Sequence, residues 1–388
     1  MKKYFWIMAA VLFLLLPVDA QAAVSLRPTG EMDGLSGQME DWESYDFSQV
    51  EQILSRGGAK LSFGQLVEQF LTGDSGQVFD MFLNQAADSV LAEIRGNKEA
   101  ILQVFLIAAG GALFSNFPAI FQESQIAQTA FFIAYLLMLS TLSAAFGIAG
   151  KMAVEMIEML LEFMKALIPA FFLSVAFVSG SVTSMAFYQM ALLMIAAVEW
   201  GILYVLIPLV YAELLIRFVN DISGEDVLSK TAEVIHTVVQ WGLKTMMGLV
   251  LGIQLIQGLI LPFVDAAKMG GLQKALSFLP GIGSGASTVS QMVLGSGILI
   301  KNGIGAAALV AIIVLAAVPV LKLAVICLMY RLAAAVIQPV SDKRMVGCVS
   351  SVADGVRMLL KIALAVVVLF FITIALVCSF SNAAYYGG

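Results

Sequence analysis

Polar and apolar positions divide this chain into three stretches. Lys2 and Lys3 precede an apolar run from Tyr4 to Leu16, which Pro17 ends, and Ala20-Gln21-Ala22 then places two small residues one position apart. That order predicts a secretory signal peptide over 1–22, cut after Ala22, because the run is short for a bilayer span. Cleavage leaves the mature N-terminus extracytoplasmic. Residues 23–99 form a polar second stretch with short amphipathic helices. The clearest runs from Ser75 to about Ile94, with Phe79, Phe82, Ala86, Val90 and Ile94 on one stripe. Residues 23–99 are expected to form an acidic extracytoplasmic helical head, whose amphipathic helix caps the body, lies on the membrane surface or packs on a partner.

From residue 100 onward apolar runs dominate, and the pattern predicts a polytopic membrane domain to residue 388. Ile101–Phe121 and Ile126–Gly150 are each long enough to span, with a tight turn between them. Lys151, Glu155, Glu158, Glu162 and Lys165 follow at spacings of four and three, which places all five on one helix face. This predicts an amphipathic helix at the interface or along a polar cavity, with a solvated face whose charges pair among themselves as the competing account. Apolar runs 166–186 and 187–216 come next, broken at Ser179-Gly180-Ser181. A polar loop and amphipathic helix carry the chain to Gln240. Met246–Val264, Gly303–Val320, Leu323–Val340 and Leu359–Phe380 complete the set. The expected fold is all-α, with six to eight transmembrane or re-entrant helices. With eight crossings, Lys268, Lys274, Lys301, Lys343, Arg344, Arg357 and Lys361 fall inside, against Lys151, Lys165, Arg217, Lys230 and Lys244 outside. The Lys/Arg bias supports that orientation modestly.

A weak internal repeat is legible over about 152–218 and 263–329. Pro169 and Pro208 are 39 residues apart, as are Pro280 and Pro319. A hydroxyl-rich stretch follows the first proline of each pair: Ser174 to Ser184 in one copy, and Ser284, Ser287, Thr288 and Ser290 in the other. Three predicted crossings separate the copies, so the repeat is expected to be inverted, as in many transporters and channels. Pro169, Pro208, Pro280, Gly281, Gly283, Gly285, Pro319, Gln338 and Pro339 are the candidate helix breaks. Irregular backbone survives in a bilayer only beside protein or trapped water, so the hydroxyl-rich stretches are candidates for a polar path. Close packing of small residues is the competing account.

Composition sharpens this picture. Sixty per cent of the 388 residues are hydrophobic, 12% are charged, and mean hydropathy is +0.94. An ordinary soluble protein is about 25% charged, so the bilayer is the expected solvent. Net charge is −6, and residues 24–100 concentrate it, with thirteen acids and five bases. No basic footprint for nucleic acid exists. One histidine and three cysteines supply no metal cluster or disulfide framework. No catalytic set or cofactor motif can be assembled, and no enzyme activity is expected. Gly281-Ile282-Gly283-Ser284-Gly285 lacks the spacing and strand–helix context of a nucleotide loop, and no GxxxxGK[ST] occurs. Charges within apolar runs carry the sharper signal, because each costs several kcal/mol unless paired or solvated. Glu199, Lys322 and Arg331 are therefore candidates for a polar path or for gating, with interfacial placement of the two bases as the competing account, and Lys301 joins them as the first residue of a K-N-x-x-G motif.

Three segments carry a resemblance: Leu299-Ile300-Lys301-Asn302-Gly303-Ile304-Gly305, Val318-Pro319-Val320-Leu321-Lys322, and Tyr330-Arg331 through Val336-Ile337-Gln338-Pro339. With the signal peptide and acidic head, they resemble the stage III sporulation protein AE family of endospore-forming Firmicutes. Ser341-Asp342-Lys343-Arg344 departs from the glycine-rich stretch that family leads one to expect. The resemblance implies a membrane subunit of a channel or secretion-like apparatus joining mother cell and forespore. It also implies partners: an ATPase, ring-forming single-span proteins and small polytopic proteins. The expected site is the mother-cell membrane around the forespore. Two other readings stand beside it. One is a stand-alone secondary transporter coupled to ions through Glu199; the other is a structural membrane anchor for partner rings.

Overall fold

The computed structural model describes residues 46–58, 62–72, 76–116, 124–179, 181–223, 228–277 and 283–386. Within these helices the side chains of 70–90, 113–128, 177–183, 261–296 and 380–386 fall outside the description. The signal peptide, Pro280 and Gly281 likewise lie outside the described residues. All the described elements are helical, and no strand occurs among them.

Two short helices come first, α1 (Ser48–Arg56) and α2 (Phe63–Thr72). Ser48 N–H donates to Asp46 Oδ1 at 3.0 Å at the start of α1. Hydrogen bonds from Ser48 hold the Asp46 carboxyl below its usual range. Val50, Ile53 and Leu54 make one buried stripe of α1. Phe63 of α2 is fully buried between Phe47 (ring centroids 5.0 Å apart) and Phe163 of the body (6.3 Å). These residues belong to the same compact unit as the body, which spans residues 45–388.

Long helices follow: α3 (Gly76–Asn116), α4 (Ser124–Ser179), α5 (Ser181–Ala197), α6 (Ile207–Ser223), α7 (Ser229–Ser277), α8 (Gly283–Ile337) and α9 (Lys343–Tyr386). Val198–Leu206 is a π-helical segment joining α5 to α6. Several separate sequence expectations fuse here. The amphipathic 75–94 stretch and the first apolar run are one helix, α3. The run 126–150, the charged 151–165 stretch and the apolar residues after it are another, α4. Nothing in 150–166 forces a break, and an α-helix simply continues where side chains on one face change from apolar to charged. Five helical stretches among the described residues are long and apolar enough to cross a membrane: 129–176, 184–222, 229–260, 297–337 and 343–379. The chain is thus a multi-helix membrane protein.

The candidate breaks divide by position. Ser179 ends α4 and Ser181 begins α5, as the turn signal predicts. Gln338 and Pro339 follow the last residue of α8, where the Ser341 amide donates to Ile337 O at 2.8 Å. Pro208 is the second residue of α6. It lacks the N–H that an α-helix would direct to Tyr204 O, and the backbone widens into the π segment just before it. Pro169 and Pro319 lie inside α4 and α8, which continue past them. Gly283 and Gly285 lie in the first turn of α8.

Cross-helix contacts set the directions. Tyr135 and Phe146 of α4 meet Cys348 and Gly355 of α9, while Met164 to Phe172 meet Thr373 to Val377, so α4 and α9 run parallel. Helix α8 opposes α9, with Cys327 against Ala353 and Lys301 against Cys378. The α5–π–α6 rod opposes α4, with Ser184 at Phe172 and Phe218 at Tyr135. Helix α7 opposes that rod, with His236 at Glu213 and Gln254 at Met194. Helices α4 and α7 consequently point the same way, and the two proline-centred segments of the weak repeat are oriented alike. The expected inversion required an extra crossing between them, which the continuity of α4 removes. Helix α9 occupies the middle, packed by α4, α5, α6, α7 and α8.

Candidate functional site: charged groups between apolar helices

Lys301 is fully buried in α8, and its Nζ donates to Cys378 O near the end of α9 at 3.2 Å. Gly305, one turn on, faces Cys378 so closely that an added Cβ would collide with Sγ. Asn302 Oδ1 is buried there with no hydrogen-bond partner among the described residues. The K-N-x-x-G spacing therefore has a local physical account. The lysine holds a late carbonyl of α9, and the glycine admits the thiol one helical turn away.

Glu199 opens the π segment, and its Oε2 accepts from Lys165 Nζ of α4 at 2.9 Å. Both side chains are about half exposed. Glu162, one turn earlier on α4, pairs with Arg56 of α1. Lys151 and Glu155 approach to 3.6 Å. All five charges of the predicted α4 face are exposed. Lys322 of α8 stands 3.8 Å from Glu93 of α3, whose Oε1 also accepts from Asn97 at 2.6 Å. Arg331 faces Asp354 of α9 at 3.6 Å, and Arg357 reaches the same oxygen at 2.8 Å. Each of the four charged candidates thus has a partner on a neighbouring helix, and the structure does not gather the four into one cluster.

The hydroxyl-rich stretches split. Ser174 Oγ donates to Phe171 O at 2.6 Å, one turn back on its own helix, and Ser184 Oγ donates to Phe172 O at 2.9 Å across the α4–α5 junction. Both groups are buried and satisfied by backbone. Ser284, Ser287, Thr288 and Ser290 lie on the first turns of α8, and their side chains fall outside the described residues.

Sequence reasoning missed three polar centres. Glu213 of α6 is 5% exposed, and its Oε1 accepts from Arg217 Nε at 3.0 Å and Nη2 at 2.8 Å. His236 Nδ1 of α7 lies 2.9 Å from the same oxygen, and Gln240 is 2.6 Å from His236 Nε2. Glu213 Oε2 has no partner among the described residues. The acid–base spacing of four between Glu213 and Arg217 was the readable signal. A second centre joins Tyr135, Cys348 and Asp221. Tyr135 OH is 2.7 Å from Cys348 Sγ, and Ser351 Oγ donates to Asp221 Oδ2 at 3.4 Å. A third is buried: Gln254 Nε2 donates to Thr373 Oγ1 at 3.0 Å between α7 and α9. No group of three or more metal-ligating side chains occurs among the described residues.

The family model for stage III sporulation protein AE matches residues 61–381. The chain belongs to that family. Stage III sporulation protein AE of Bacillus subtilis (strain 168) is 21% identical over 320 residues, covering 82% of this chain and 80% of the relative. No solved structure matches the chain. The family match takes in α2 through most of α9, so the ion pairs described from Glu93 onward fall inside it.

Proposed function

We propose that this stage III sporulation protein AE relative is a membrane subunit of the multiprotein channel or secretion-like apparatus connecting mother cell and forespore. Its family membership over 61–381, in a chain built of long apolar helices, carries the reading. Several ion pairs lie within or beside those apolar helices, as expected where protein borders a polar route through lipid. The subunit sits in the mother-cell membrane around the forespore, with its mature N-terminus extracytoplasmic. A partner ATPase supplies energy, since the sequence contains no nucleotide loop of its own. Ring-forming single-span proteins and small polytopic proteins complete the apparatus.

The test is a fluorescent fusion in sporulating cells, combined with affinity purification and a dye-exchange measurement between the two compartments. The reading expects a signal around the engulfed forespore, co-purification of a nucleotide-hydrolysing subunit, and loss of exchange on deletion. Solute uptake by the purified chain alone in vesicles, abolished by Glu199→Gln, would instead establish a stand-alone transporter.

A further inference from the structure

A common charge-free slab runs through three of the long rods, and a fourth carries one charge at the same level. It covers 362–386 of α9, 302–321 of α8 and 245–264 of α7, and the α5–π–α6 rod carries only Glu199 between 181 and 212. Runs of about 20 residues match the ~30 Å hydrocarbon core of a bilayer at 1.5 Å per residue.

Contacts place α4 against this slab. Gln254, at the middle of the α7 run, bonds Thr373 of α9. Met164, Leu167 and Phe171 of α4 share a small apolar cavity with Thr373 and Val377. Gly305 of α8 lies beside Phe171, and Gly57 bridges Met159 of α4 and Leu315 of α8. By these registers Glu155, Glu158, Glu162 and Lys165 fall level with the charge-free stretches of α7, α8 and α9 and beside Glu199 of the π segment, and Glu162 is near the middle. Lys151 lies at the edge, level with Lys322 and Lys361.

The face is not buried by its own chain. Relative side-chain exposure is 59% at Glu155, 50% at Glu162, 49% at Lys165 and 40% at Glu199. Arg56 of α1 flanks it on one side and the π segment on the other. Charges at this depth are costly against acyl chains unless paired or solvated; Glu155, Glu162 and Lys165 have ion-pair partners, and the exposed Glu158 has none among the described residues, so it calls for water. Apolar side chains at the same depth behave differently: Leu193 and Ile256 are exposed and fit lipid directly.

We infer that the α4 face of Glu155, Glu158, Glu162 and Lys165, with Glu199, is one wall of a water-filled path at bilayer depth. Further copies of the chain close that path, each turning the same face inward. The inference deepens the channel reading and rests on it. Cyclic symmetry about the membrane normal brings identical faces to one level, which is what such a wall needs. Four carboxylates against Lys165 and Arg56 give the wall net negative charge, so it favours water and hydrated cations over anions.

The full chain in proteoliposomes tests this. Single cysteines replace Glu155, Glu158, Leu193 or Ile256, and two water-soluble methanethiosulfonates are applied, one cationic and one anionic. Labelling of the wild-type cysteines is subtracted, and thermal melts establish folding. Glu155→Cys and Glu158→Cys should react, at least tenfold faster with the cationic reagent, while Leu193→Cys and Ile256→Cys should stay unlabelled. Mass measurement in nanodiscs should give an oligomer. Unreactive face positions, equal rates with both reagents, or a monomer would overturn the proposal. Labelling as expected together with intact compartment exchange in a deletion strain would leave the wet wall standing and remove the channel reading. Lost exchange with an unlabelled face would do the reverse.

Discussion

At the residue scale the most informative neighbours are Gly305 and Cys378. A methyl group at 305 has nowhere to go except into the thiol of α9, with Phe171 Cε2 next at 3.5 Å. Gly305→Ala should lower stability by about 1–3 kcal/mol through overpacking, and adding Cys378→Ala should restore most of it. A double-mutant cycle of detergent melts measures the coupling. Lys301 behaves differently, because it is a buried cation whose Nζ bonds a backbone carbonyl. Lys301→Met keeps the volume and removes the desolvation cost, so its melt should stay within about 1 kcal/mol of the parent chain, whereas Lys301→Ala leaves a cavity and should lose about 2–4 kcal/mol. Glu213→Leu strands Arg217 and His236 without their anion. With those two side chains about one-third exposed, the expected loss is about 1–3 kcal/mol, read by the same melts. The sequence made Lys301 conspicuous through the K-N-x-x-G motif it opens. Glu213 was hidden, since it sits where an apolar run gives way to charge and its histidine partner is 23 residues away.

At the scale of elements, the helical class and most helix positions follow from the apolar pattern, while the number of separate helices does not. Periodicity reports which side of a helix faces what; it does not report continuity. The 151–165 stretch reads as a separate amphipathic helix because its face turns charged, yet it contains no glycine or proline to interrupt the backbone, and α4 continues to Ser179. Pro169 shows the same limit. It sits exposed inside α4, where packing on α5, α8 and α9 holds the helix through the missing hydrogen bond. Pro169→Ala should therefore melt at or above the parent temperature, and a marked drop would show that the helix needs the proline. The π segment was illegible beforehand, although its cause is written at Pro208.

For the whole molecule, the sequence supported a membrane protein of a sporulation family with six to eight helical passes, and five stretches among the described residues qualify by length and composition. What it could not supply was depth. Only cross-helix registers show that the charges of α4 share a level with the charge-free parts of α8 and α9. The same packing protects Cys327 and Cys348, both buried between long helices. In the folded protein a water-soluble maleimide should leave these two unmodified, and denaturation in dodecyl sulfate should expose them; mass spectrometry of the labelled peptides measures both states. Helix α9 adds a consequence in time. The rod around which five others pack is the last to be synthesised. At roughly 5–20 residues per second, α4 leaves the ribosome about 10–40 seconds before α9 is complete. Until then α4, α6, α7 and α8 lack the rod that all of them pack against, although the earlier helices already contact one another. The earlier helices thus wait without their common packing partner until the chain is nearly complete.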